Sequence, residues 1–154
     1  MQISRRSYDH PDVATLVARL QAEYVLIYGA PDDSPTNTSQ FEPPAGAFGL
    51  LYDGATPAAM GGWRFRADGR SELKRMYVPD EYRGRGFSRS VLLWLEDSAL
   101  SAGASEVVLE TNQLHPAAVG VYRSSGYTEV PAFGHFADDP MTVYLGRTIS
   151  SGAR

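Results

Sequence analysis

The chain has 154 residues, 43% hydrophobic and 21% charged, a balance that suits one compact domain over 1–154 with a core of its own. A formal net charge of −4 argues against a broad nucleic-acid-binding face, and the lack of cysteine excludes disulfides, thiolate catalysis and cysteine metal sites. No apolar run approaches the roughly 18 residues of a membrane span, and polar Met1–Asp9 carries no signal-peptide apolar region, so a cytoplasmic location away from membranes is expected.

Ile3–Tyr8 reads as an opening strand, although Arg5 and Arg6 interrupt its alternation. A helix follows from Asp9 or His10. Pro11 is tolerated in its first turn, Val13, Leu16, Val17, Leu20 and Tyr24 keep helical spacing, and Gly29 is its stop. Ala30–Pro44, rich in Pro, Asp, Ser, Thr and Asn, is a long loop with room for a short helical turn. Its length suits a functional segment or a plain insertion equally. Ala47–Tyr52 and Pro57–Arg66 read as strands about an Asp53-Gly54 hairpin, and the Asp68-Gly69 turn leads to Ser71–Val78, giving an antiparallel meander. Gly86–Gly103 is a helix with Val91, Leu92, Leu95 and Ala99 on one face. Glu106–Glu110 is a short strand, Pro116 begins a helix that Gly126 ends, and Tyr127–Val130 and Met141–Leu145 are the last strands. This order predicts a mixed α/β (α+β) domain.

The most informative stretch is Met76 to Ser88, where a strand runs through a polar turn into a helix N-terminus. Gly84 and Gly86 remove side-chain bulk, so backbone can approach a ligand. The first amides of the helix lack internal partners and point outward with the positive end of its dipole, an arrangement suited to a pyrophosphate. Arg83 and Arg85 add positive charge. A P-loop is absent because no Gly-Lys-Ser/Thr follows, and the dinucleotide fingerprint fails because Arg89 stands where its third Gly or Ala belongs.

With these residues the chain resembles the GNAT N-acetyltransferases, whose signature is Arg/Gln-x-x-Gly-x-Gly/Ala at a strand-to-helix turn. It reads here Arg83-Gly84-Arg85-Gly86-Phe87-Ser88, with Ser88 departing from Gly/Ala. The similarity extends to Glu72–Val78, Leu92–Leu100, Glu110-Thr111-Asn112, and Ala118–Tyr127, a helix carrying a Tyr before a Gly-aromatic stop. Residues 1–70 agree only in the order of elements. The resemblance implies a largely antiparallel mixed sheet with helices on both faces. It also implies a splay between the fourth and fifth strands that admits the pantetheine arm of acetyl-CoA from one side and an amine from the other. It places Met76, Tyr77 and Val78 beside the thioester and the arm, Arg83–Ser88 on the pyrophosphate, and Asn112 near the cofactor arm. Many relatives are dimers, so a homodimer is expected too.

Acyl transfer from a thioester to an amine needs a neutral amine, donors for the developing oxyanion and a proton for the leaving thiolate. The resemblance makes Tyr122 the general acid, a phenol that is protonated at neutral pH. Spacing alone favours a core aromatic, with Tyr122 on one face with Ala118, Val121 and Ser125, and it is the flanking motifs that turn the reading to catalysis. Glu72 is the leading candidate base, set by strand alternation on the same face as Met76, and Glu110 is the second. Glu72 is alternatively a cross-strand ion-pair partner of an Arg or Lys, and Asn112 a turn residue. His10, His115 and His135 are isolated, His115 reading as a local cap, and no cluster has metal spacing. The resemblance places walls for the substrate in Tyr24–Gln40 and Val130–Met141, with Tyr28, Phe41, Trp63, Phe133 and Phe136 as candidates, each of them equally a core residue. The reading is an acetyl-CoA-dependent transferase acting on a primary amine through a ternary complex. A non-catalytic acyl-CoA-binding module is the alternative, and an RNA binder using Arg83 and Arg85 is a weaker third.

Overall fold

A computed structural model describes residues 2–134 and 137–150. Its seven strands are β1 (Ile3–Arg5), β2 (Gly46–Asp53), β3 (Thr56–Phe65), β4 (Ser71–Tyr77), β5 (Glu106–Asn112), β6 (Thr128–Glu129) and β7 (Thr142–Thr148). They form one sheet in the order β1-β2-β3-β4-β5-β7-β6. Every pairing is antiparallel except β4 with β5. The helices are α1 (Pro11–Tyr28), α2 (Phe87–Ser101) and α3 (Pro116–Ser124).

Local chemistry explains the boundaries. The His10 Nδ1 accepts from the Asp12 amide and caps α1, with Pro11 at the first position. Gly29, at φ 80, closes the helix by donating to the Val25 carbonyl. The opening strand is shorter than the sequence suggests. Ser7 Oγ donates to Asp9 Oδ1 (2.7 Å) and turns the chain toward α1. Within the long loop, residues 38–41 form a 3-10 turn held by a reciprocal Asn37–Gln40 capping box.

The sheet buries both faces. Val13, Leu16 and Leu20 of α1 pack with Phe41, Phe48, Leu50, Met60 and Tyr77 on one face. Val91, Leu92, Leu95 and Ala99 of α2 pack with Leu51, Ala59, Trp63, Leu73, Val107 and Leu109 on the other. Tyr122 of α3 and Tyr127 join the α2 side. Two aromatic residues expected as substrate walls are core instead. Phe41 is packed among the α1-face aromatics, and Trp63 donates from its Nε1 to Ser98 Oγ (2.9 Å) beneath α2.

One irregularity matters for function. Met60 pairs with Tyr77 and Gly62 with Lys74, so Arg75 and Met76 together face Gly61. This is a β-bulge, and Arg75 takes φ 59, the left-handed region. Gly61 makes room for it. A Cβ there would lie 2.9 Å from Leu95 and 3.0 Å from Met76.

Candidate active site

β4 and β5 pair only at Ser71↔Val107 and Glu72↔Val108. Beyond that point β5 follows β7 along its whole length, from Glu106↔Thr148 to Asn112↔Thr142. β4, bent by the bulge, parts from it. The sheet therefore opens in its middle, between Leu73–Tyr77 and Leu109–Asn112, leaving β4 without a partner strand on that side.

The bulge also decides which side chains stand on which side of the opening. Before it, Leu73 faces α2 while Glu72 and Lys74 face the α1 side. After it, Met76 packs on the α2 side and Tyr77 on the α1 side. Strict alternation places Glu72 and Met76 on one face. The extra residue reverses that, and Glu72 lies across the sheet from Met76. The cross-strand alternative for Glu72 is what the register shows. Arg64 stands directly opposite, its Nε 3.3 Å from Glu72 Oε1, with Arg66 Nη1 at 3.6 Å.

On the α2 side, the Tyr122 hydroxyl donates to Met76 Sδ at 3.4 Å, and its ring meets Tyr127 edge-on at 5.9 Å. Burial pushes the Tyr122 phenol well above its ordinary value, so it holds its proton throughout the neutral range.

On the α1 side lies a polar cleft of about 300 Å3, walled by Ser34, Pro35 and Gln40 of the long loop and floored by Arg64, Arg66, Glu72, Lys74 and Glu110. The loop is anchored here. Asp32 pairs with Arg75 of the bulge, and its Oδ1 accepts from Ser34 Oγ (2.6 Å). Gln21 of α1 clasps the Asp32 backbone at 2.8 and 2.9 Å. Burial opposes ionisation of Asp32, but Lys74 and Arg75 outweigh it and hold its carboxyl below the ordinary range. Lys74 Nζ donates to Ser34 Oγ (2.8 Å) and sits 3.5 Å from Glu110 Oε1. Glu110 Oε2 is buried and accepts no hydrogen bond from the described residues. Burial raises the Glu110 carboxyl above its ordinary value, while Lys74 restrains the shift.

At the mouth of the opening, Gly84 and Gly86 have φ 80 and 79, and a Cβ at either meets no atom within 4 Å. The Arg83 amide bonds the Asp80 carbonyl and the Ser90 amide the Gly86 carbonyl. Among the described residues no backbone or side-chain acceptor takes the amides between them, and α2 has no side-chain cap. These free amides and the open space above two glycines fit a pyrophosphate. Arg85 is exposed, with its guanidinium 5.5 Å from the Tyr82 ring centroid. Arg83 is turned inward, donating from Nε to the Val78 carbonyl (2.8 Å) and from Nη2 to Glu23 of α1 (2.9 Å). Phe87 is buried on Tyr82 and Ser88 is half-buried.

Asn112 takes the turn role left open for it, and His115 departs from expectation. Asn112 Oδ1 accepts from the Leu114 amide (2.9 Å), which is the turn role. His115 does not cap α3. Its ring lies 6.2 Å from Tyr24 and 5.8 Å from Tyr28, with Nε2 buried and without a hydrogen bond from the described residues. Burial keeps the His115 imidazole below its ordinary value. Phe133 lies against Tyr144, with the Arg66 guanidinium 4.5 Å from its ring centroid. His135 and Phe136 lie outside the described residues. No group of three or more metal-ligating side chains occurs among the described residues, and no helix there is long and apolar enough to cross a membrane.

Sequence reasoning missed Lys74, Arg64 and Arg66 as the floor of the cleft. A two-residue Asp68-Gly69 turn would set Arg64 opposite Leu73, but the Arg66 amide bonds the Arg70 carbonyl across a three-residue loop, and that shift of one sets Arg64 opposite Glu72.

The model of the acetyltransferase (GNAT) family matches residues 14–127. The chain belongs to the GNAT family. A relative called IAA acetyltransferase, from Azospirillum brasilense, is 32% identical over 81 residues, covering 53% of each chain. The match thus spans about half the length of that relative. Among solved structures, a Klebsiella pneumoniae protein described as an acyl-CoA N-acyltransferase has a TM-score of 0.82 at 22% identity, covering 97% of both chains. The PaiA N-acetyltransferase of Thermoplasma acidophilum, solved with coenzyme A, has a TM-score of 0.71 at 15% identity, covering 97% of this chain and 100% of its own. These likenesses establish the GNAT fold, with its opened mixed sheet between helical layers.

Proposed function

We propose that this GNAT chain, acting as one domain in the cytoplasm, transfers an acetyl group from acetyl-CoA directly to a primary amine. The observation that carries this reading is the opening between β4 and β5, which has a proton donor on one side and, on the other, a carboxylate with one oxygen unpartnered among the described residues. When bound, acetyl-CoA supplies a thioester whose carbonyl carbon exchanges its bond to sulfur for a bond to the amine nitrogen.

The chain's residues divide the remaining work. The amides of Gly84–Ser88, with Arg85, hold the pyrophosphate. Arg83 joins them on exchanging Glu23 for phosphate. The unpaired β4 edge at Met76, Tyr77 and Val78 binds the pantetheine amides as an added strand would, and an amide there donates to the thioester carbonyl. Tyr122, whose hydroxyl now donates to Met76 Sδ at the edge of the opening, would supply the proton for the departing sulfur. Glu110 takes the proton of the attacking amine through Oε2, either directly or through one water. We assign the base to Glu110 in place of Glu72, because Glu72 already faces two arginines while Glu110 keeps a free buried oxygen. Glu72 then fixes Arg64 and Arg66. Asn112 shapes the turn into α3 beside the arm. No metal enters this scheme. A module that only binds acyl-CoA needs neither a buried phenol at the opening nor a free carboxylate behind it.

Calorimetric titration with acetyl-CoA, with ATP and NAD as controls, tests the cradle. Selective binding is expected, weakened about 10- to 100-fold when Arg83 and Arg85 are both changed to Glu, the loss of one or two charge-assisted contacts. Equal binding of all three ligands, or no binding to the folded chain, would overturn the assignment.

A further inference from the structure

The cleft on the α1 side carries information about the acceptor that the family fold does not. Its lining holds three cations, Arg64, Arg66 and Lys74, against two carboxylates, Glu72 and Glu110. Their hydrogen bonding is uneven. Arg64 donates to the Pro35 carbonyl (2.7 Å), Gln40 Oε1 (2.8 Å) and Glu72. Lys74 is held between Ser34 and Glu110. Among the described residues Arg66 has only loose ion pairs, 3.5 Å from Asp68 and 3.6 Å from Glu72, and its buried Nε donates to no acceptor there.

The Arg66 guanidinium is nevertheless well located, because it lies 4.5 Å from the Phe133 ring centroid. A planar fork fixed on an aromatic ring with unspent donors suits a carboxylate. Facing it is Glu110, whose side chain is 8% exposed and whose Oε2 has no hydrogen bond. Both groups look into one small volume. The position a Gly134 methyl would occupy is 3.7 Å from Glu110 Oε2 and 3.8 Å from Arg66 Nη1. A single compact ligand can therefore touch both.

We infer that the acceptor is a small amino carboxylic acid, its amine placed at Glu110 Oε2 and its carboxylate held by Arg66. The inference rests on the acetyltransferase reading and deepens it. A polycationic amine would meet the excess of positive charge in the lining and leave Arg66 with no closer acceptor than Asp68 and Glu72. A plain hydrophobic amine would bury the guanidinium further with those two loose pairs alone. A zwitterion supplies both partners, with the amine losing its proton to Glu110 before attack and the carboxylate remaining charged.

The test uses matched pairs that differ by the carboxylate alone: glycine and methylamine, phenylalanine and phenethylamine, lysine and cadaverine. Each is incubated with the full chain and acetyl-CoA, and kcat/KM is measured. In parallel, thermal stabilisation of the coenzyme A-bound chain by each member is recorded, which needs no turnover. The carboxylate-bearing member of at least one pair should be favoured by about 10²-fold. That preference should fall toward unity in Arg66→Gln, through KM rather than kcat, with partial retention in Arg66→Lys. The melting curve of each unliganded variant verifies that it is folded. A chain that acetylates, or is stabilised by, both members of every pair alike, or neither member of any pair while coenzyme A binds, overturns the inference and leaves the acetyltransferase reading standing. Loss of acetyl-CoA binding itself would instead sink that reading.

Discussion

Replacing Tyr122 by Phe separates chemistry from architecture with unusual clarity in this chain. The hydroxyl makes one described hydrogen bond, to Met76 Sδ at 3.4 Å, and the ring keeps its contact with Tyr127 when the oxygen is removed. A net hydrogen bond contributes about 0.5–1.5 kcal/mol, and a thioether is a weak acceptor, so the lower figure applies. For a chain of this size that loss moves the melting temperature by about 1–2 °C. The effect on turnover is far larger. A positioned general acid contributes about 10²–10⁴-fold, equivalent to roughly 2.7–5.4 kcal/mol of barrier. The assay is release of free coenzyme A, followed with a thiol reagent. The chain has no cysteine to contribute background. The expected result is kcat lowered at least about 10²-fold, with acetyl-CoA affinity and melting temperature nearly unchanged. A variant that keeps a substantial part of kcat would refute the acid role. One that loses cofactor affinity or stability in step with activity would show that Tyr122 acts through packing.

Glu110 is expected to set the acid limb of kcat/KM. Its pKa is raised by burial, so the limb should fall above the ordinary carboxylate range near about 4.3. Glu110→Gln should abolish the limb and lower the rate about 10²-fold or more, and Lys74→Met, removing the cation that restrains the shift, should move it to higher pH. Because the folded-state pKa exceeds the unfolded one, Glu110 should also make stability decline as pH rises between the two values. That slope should be absent in Glu110→Gln when denaturant midpoints are compared across pH. At the fold level, Gly46→Ala should destabilise by about 1–3 kcal/mol or more, because its Cβ would meet the Trp63 and Gln40 carbonyl oxygens at 2.2 and 2.3 Å. Urea unfolding with an unchanged midpoint would contradict that packing.

Much of the molecule is written locally. The cap at His10, the stop at Gly29, the hairpins at Asp53-Gly54 and Asp68-Gly69, and the Arg83–Ser88 turn depend on a few neighbouring residues, so their chemistry is legible without the rest of the chain. The helical faces of α1 and α2 are legible for the same reason, since burial follows the 3.6-residue period. The Arg64–Glu72 pairing is not, because it depends on the loop at 67–69 having three residues where Asp68-Gly69 suggests a two-residue turn.

The divided site depends on contacts between distant segments. β7 inserts between β5 and β6 and draws β5 away from β4, a competition between pairings that no short stretch encodes. The single extra residue at Arg75 reverses side-chain alternation, so a period of two carried straight through β4 sets Glu72 on the wrong side of the sheet. In sequence Glu110 is only the second candidate base, at the end of a short strand. It becomes a buried, half-partnered carboxylate only because the Asp32–Ser34 segment, tied to Gln21 and Arg75, closes over Lys74 beside it. The elements and the glycine turn at 83–88 were readable from sequence, because they follow from bonds among near neighbours. Tertiary structure decided which carboxylate stands free in the opening, because burial and register are properties of segments that meet only when the sheet is assembled.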